Sequence, residues 1–175
     1  MKSTPSKSPM KTLSILFALH VCCIISYSQD IKQQSCNDDF ISKQVDSLKT
    51  SYSKDGFVLL KEASMTMESE YEMPVIVPLT QGVSYKFVFI GDYTSRLYEV
   101  RMYDWEEKQV AFEQKRWGDV DGNIISYSYT PRASEFHMIK PVQVNKTKKK
   151  NLCGYVMMFK KSAPNTANGS VNPRN

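Results

Sequence analysis

The chain has 175 residues, a formal net charge of +5, and 41% hydrophobic residues. That length sets one domain of ordinary size, able to bury a core without metals or many crosslinks. The charge argues against a nucleic-acid partner: the one locally basic run, Asn145 to Asn151 (NKTKKKN), has no aromatic side chains interleaved with its lysines.

Lys2, Lys7 and Lys11 open the chain, Leu13 to Ile25 forms an apolar run, and Ser26-Tyr27-Ser28 places small residues where a signal peptidase reads. This predicts a secretory signal peptide over residues 1–28 and a secreted or periplasmic protein without a transmembrane segment after cleavage. An uncleaved anchor is the alternative, against which stands an apolar run shorter than the ~20 residues a bilayer needs. Three of the 23 basic residues and none of the 18 acidic ones precede residue 29, which leaves 20 against 18, a net charge of +2. Cys22 and Cys23 leave with the signal, so Cys36 and Cys153 remain. In an oxidising compartment that pair predicts one disulfide, with two free thiols as the alternative.

Residues 29–36 read as an irregular lead-in. Over residues 37–55, Asn37 or Asp38 offers an N-cap, and Ile41, Val45, Leu48 and Tyr52 form one helical stripe before Gly56 stops it. An amphipathic helix of this kind should lie on something. From Phe57 the apolar period becomes two. Strands are expected in GFVLLKEA, SMTMESEYEM, PVIVPL (an edge, from its prolines), VSYKFVFIG, RLYEVRMYD, KQVAFEQ, NIISYSYT, SEFHMIKPVQV and LCGYVMMFKK. In RLYEVRMYD the uncharged set Tyr98, Val100 and Met102 is the core face, which turns Glu99, Arg101 and Tyr103 outward. Many short strands and one helix, without repeated βαβ units, predict a mostly-β, two-sheet antiparallel sandwich over residues 56–162, followed by a disordered tail over 163–175.

The strand order also resembles the bacterial pre-peptidase C-terminal (PPC) domain, with Leu79, Gly82, Tyr85 and Phe87 at a turn and its following strand, Tyr103-Asp104 ending another strand, and PRASEF before a closing strand. The chain is similar, too, to small exported Bacteroidetes proteins built as one sandwich behind a signal peptide. The resemblance covers roughly residues 75–145 and departs at Glu135-Phe136, where the family has glycine-tyrosine. It implies a jelly-roll-like sandwich with accessory roles in export, stability or polymer binding, and no catalytic residues.

The candidate sites are few. Asp119, Asp121 and Asn123 alternate around a glycine like the mouth of a calcium loop, but glycine falls at the fourth position and Thr130 at the twelfth, with strands on either side. Asp121-Gly122 reads instead as a hairpin turn, a weak surface calcium site being the alternative. No other cofactor is implied. His137 is the one histidine after residue 28, expected on the sheet's outer face with Glu135 and Ile139, opposite Phe136 and Met138. A hydrolase would need it beside an acid or a hydroxyl, and no nucleophile elbow accompanies it. The aromatics Tyr93, Tyr103, Trp105 and Trp117 lie in or beside loops, with Arg101 and Asp104 nearby to bind hydroxyls. The reading is a non-enzymatic binding or accessory module, with a polysaccharide as the first candidate partner, an envelope protein as the second, and a hydrolase as the remote third.

Overall fold

The computed structural model describes residues 36–116, 118 and 122–162. The expected signal peptide, the expected lead-in before Cys36 and tail after Ser162, and Trp117, Asp119 and Asp121 lie outside the described residues. One helix, α1 (Asp39–Lys54), is followed by eight strands: β1 (Phe57–Met67), β2 (Val75–Leu79), β3 (Tyr85–Gly91), β4 (Ser95–Tyr103), β5 (Gln109–Arg116), β6 (Ile124–Tyr129), β7 (Glu135–Asn145) and β8 (Leu152–Lys161).

These strands form two four-stranded antiparallel sheets, ordered β1-β8-β3-β6 and β2-β7-β4-β5. The pairings nest: β4 with β5, β3 with β6, β2 with β7, β1 with β8. The fold is therefore a jelly roll, a long antiparallel ribbon wrapped into two packed layers. Period-two alternation fills the space between them. Met65, Met67, Val77, Leu79, Tyr85, Phe87, Phe89, Tyr98, Val100 and Met102 are all buried there. The expected core face of β4 is confirmed, and on β6 Ile125 and Tyr127 are buried, with Ser126 and Ser128 exposed. GFVLLKEA and SMTMESEYEM are not two strands but one, since β1 runs through both with a bulge between Leu59 and Lys61.

β2 with Pro78 is an edge strand, as its prolines predicted. Pro141, by contrast, lies in the interior strand β7. Its carbonyl accepts a hydrogen bond from the Met73 N–H at 3.2 Å, beyond the end of β2. A residue's N–H and C=O point to the same side in an antiparallel strand, so the missing donor of Pro141 faces the side where pairing with β2 has stopped, and no ladder bond is lost.

The helix settles on the first sheet. Asp38 is its N-cap, the carboxylate accepting from the N–H groups of Phe40 and Ile41 at 2.9 Å, and Gly56 follows its end at φ +76°. Ile41 and Val45 are buried against Val88, Ile90, Met157 and Phe159, with Leu48 and Tyr52 packed alongside. β3 and β8 are consequently covered on both faces, and this accounts for the unbroken apolar run of β3. A reciprocal amide pair adds direction: Gln44 Nε2 donates to Asn123 Oδ1 at 2.9 Å, and Asn123 Nδ2 donates to Gln44 Oε1 at 3.0 Å and to the Gly91 carbonyl at 2.7 Å.

The connection between β5 and β6 is not the hairpin that Asp121-Gly122 suggested. β5 pairs only with β4 and β6 only with β3, so the segment crosses from one sheet to the other. Gly118 and Gly122 do take positive φ, +98° and +53°; tight turns of either kind need such residues.

Cys36 and Cys153 form a disulfide, with Cα atoms 5.5 Å apart and a sequence separation of 117. Ser64 on β1 seconds it, donating to the Cys36 carbonyl at 2.7 Å and accepting from its N–H at 2.9 Å. Loop-closure entropy makes so long a crosslink worth about 3–5 kcal/mol. Cys36→Ser with Cys153→Ser is expected to lower the urea midpoint accordingly, and a double mutant as stable as the oxidised protein would contradict this.

Candidate functional site

With α1 on the first sheet, the open sheet surface is the outer face of the second. Register places its side chains in rows across the strands. Ile76, Met138 and Tyr103 face one another through β2, β7 and β4; Lys140, Arg101 and Phe112 through β7, β4 and β5. Beyond Tyr103 the β4–β5 turn brings Trp105 against Phe136, ring centroids 6.1 Å apart at 49°. Both rings face water: Trp105 is 70% exposed and Phe136 50%.

The turn that carries Trp105 is built by Asp104. Its Oδ1 accepts from the N–H groups of Glu106 at 3.1 Å and Lys108 at 2.9 Å, and Glu107 takes φ +60°. Asp104 is thereby a turn-former through Oδ1. Tyr103 lies beneath Lys140, whose ammonium is 5.1 Å from the ring centroid.

A polar row adjoins the aromatic end. Glu72 bridges Arg101 at 3.0 Å and Lys140 at 2.9 Å, Arg101 also meets Glu99 at 2.6 Å, and Gln114 Nε2 donates to Glu99 Oε1 at 2.6 Å. Two cations and two carboxylates leave this row electrically neutral. The groups are a third exposed or less and point along the sheet, so they present fixed donors and acceptors rather than a field of one sign.

Of the residues expected to form the site, Trp105, Tyr103 and Arg101 share this face. Tyr93 does not: it is 59% exposed but packs edge-on against Phe40 of α1, centroids 5.8 Å apart. Trp117 lies outside the described residues. The face also uses Phe136, Met138, Lys140, Phe112 and Glu72, which the sequence reading did not place there. The signal was present in β7, where Phe136, Met138 and Lys140 share one parity.

That parity reverses the assignment of His137. It points inward and is 1% exposed, its Nε2 3.2 Å from the Tyr129 hydroxyl and 3.8 Å from Glu135 Oε1, while Nδ1 has no partner among the described residues. No substrate reaches this ring in the conformation described. Asn123, the third proposed calcium ligand, is 8% exposed and has its amide committed to Gln44 and Gly91. Among the described residues no group of three His, Cys, Asp or Glu is placed to hold a metal, and no helix is long and apolar enough to cross a membrane.

No protein-family model and no curated protein matches the sequence. Among solved structures the chain is similar to a Bacillus endospore appendage from a family of disulfide-linked pili, at 11% identity and a TM-score of 0.35, over 61% of this chain and 88% of that one. It is also similar to a family 4 carbohydrate-binding module (15%, TM-score 0.34, 66% and 81%). A family 61 module in complex with β-1,4-galactotriose gives similar figures (11%, TM-score 0.34, 62% and 84%). Likenesses of this size assign no function.

The ion pairs make a measurable prediction. The Lys140 ammonium, hydrogen-bonded to Glu72, outweighs the opposing desolvation and, with the charges of Lys140 and Arg101, holds the Glu72 carboxyl below its ordinary 4.5. A depressed folded-state value stabilises fully above the unfolded one and is lost as pH falls through the lowered value. Carbon-13 NMR should find the Glu72 midpoint below 4.5 and returning toward it in Lys140→Met. An unmoved midpoint would disprove the pairing.

Proposed function

We propose that this protein is an exported, non-enzymatic jelly-roll module that binds a neutral polysaccharide at the cell envelope through the outer face of its second sheet. The observation that carries this is the exposed Trp105–Phe136 pair beside a charge-balanced row of hydrogen-bonding groups. Sugar rings have apolar C–H faces that stack on aromatic rings, and hydroxyl edges that accept hydrogen bonds from guanidinium and donate them to carboxylate. A neutral row suits a neutral polymer. The disulfide is consistent with an oxidising compartment outside the cytoplasm, and the PPC-like resemblance with an accessory role there.

A second reading, a protein partner on the same face, is favoured by the exposed aliphatic Ile76 (55%) and by Phe112 (47%) away from the Trp105 turn. The two readings separate by residue. Screened against immobilised glycans and then titrated calorimetrically, Trp105→Ala is expected to weaken polysaccharide binding at least about tenfold, ~1.4 kcal/mol. Tyr93→Ala, on the helix side, leaves it unchanged. Polysaccharide binding indifferent to Trp105→Ala ends this assignment; loss of a protein partner through Ile76→Asp, with no glycan bound, establishes the second.

A further inference from the structure

The interior of the sandwich is not filled. A cavity of about 370 Å³ opens between the sheets where β1 and β2 form adjacent, unpaired edges. Val75, Val77, Phe89, Val100, Ile139 and Met158 are among its walls. The lining runs from β1 and β2 at one edge to Tyr127 on β6, the opposite edge strand of the first sheet.

Its origin is a mismatch in length. β2 is 5 residues long and β1 is 11, so part of β1 has no β2 residue to face. A bulge interrupts β1 at Leu59/Lys61, where Val58 (55%) and Leu60 (48%) are exposed. Close-packed interiors hold few voids larger than one water molecule. Here there is room for about a dozen waters at ~30 Å³ each, yet apolar walls give them few partners. The volume falls instead in the range of small-molecule pockets, about 300–1,000 Å³.

Two polar features bound the space. Tyr127 is buried, and its hydroxyl has no partner among the described residues. Burial, and behind it the Glu113 carboxylate, holds that phenol above the ordinary tyrosine range, so it stays neutral. At the mouth two charged residues line the cavity, Lys61 and Glu62. Glu62 is already engaged by Lys49 at 2.5 Å and by the Tyr155 hydroxyl at 2.6 Å. Lys61 is exposed and forms no ion pair among the described residues, which leaves one unbalanced positive charge at the entrance.

We propose that this cavity is a binding site for an acyl carboxylate, its hydrocarbon tail drawn between the sheets and its acidic head held by Lys61 at the mouth. The site is independent of the polysaccharide face, from which the second sheet separates it. Burial of the tail supplies the affinity, and the single cation supplies the preference for an anion over a neutral amphiphile.

Decanoate and decan-1-ol serve as probes, titrated calorimetrically into the oxidised protein. Saturable one-site binding of decanoate is expected, with decan-1-ol at least about tenfold weaker, and Lys61→Gln should remove that difference. Ala63→Phe, which places a ring in the lining near the mouth, should cost decanoate at least about tenfold in affinity. Independently of any variant, the methyl resonances of Val77 and Val100 should shift on adding decanoate to the unaltered protein. Decanoate that does not saturate below millimolar concentration, equal binding of the alcohol, or unmoved Val77 and Val100 methyls would each overturn the proposal.

Discussion

The packing of Ile41 and Val45 of α1 onto Val88, Ile90, Met157 and Phe159 sets the character of the whole molecule. An eight-stranded roll has two outer faces, and a free-standing sandwich would offer both to water. Burial of each large aliphatic side chain is worth about 1.5–3 kcal/mol, so the helix seals one face firmly. The remaining face is then the one broad sheet surface on which a ligand can lie. The Gln44–Asn123 amide pair and the Lys49–Glu62 ion pair fix the helix in angle as well as depth, at the β6 end and at β1.

Much of this was written plainly in the sequence. β4 could be read because its two faces differ in charge: Glu99 and Arg101 cannot share the core with Met102, so parity follows. The helix was legible from its stripe and cap. β7 was misread for the opposite reason. Both of its faces carry large apolar groups, Phe136 and Met138 on one and His137 and Ile139 on the other, and a histidine is the least decisive residue to place. The proposed binding face is itself apolar where β7 crosses it at Phe136 and Met138, which removes the contrast on which alternation depends.

Other features were beyond any single-sequence pattern. Turn glycines signal a reversal but not the sheet to which the next strand belongs, so a crossover between β5 and β6 looked like a hairpin. The interior cavity arises from the unequal lengths of β1 and β2 and from their adjacency, and neither is a property of one segment. The Trp105–Phe136 pair joins a turn to a strand some thirty residues later through the pairing of β4 with β7. Local chemistry supplied the rings; topology brought them together.

That nesting also orders events in time. The innermost partners, β4 and β5, are neighbours in the chain, whereas β1 must wait for β8, and the sulfur of Cys36 for that of Cys153. A polypeptide threaded through a membrane leading end first therefore arrives with an opening strand that has nowhere to settle until almost everything else has followed. Under the export proposed above, such a delay would keep the chain transport-ready through its connectivity, with no need for a weak native state.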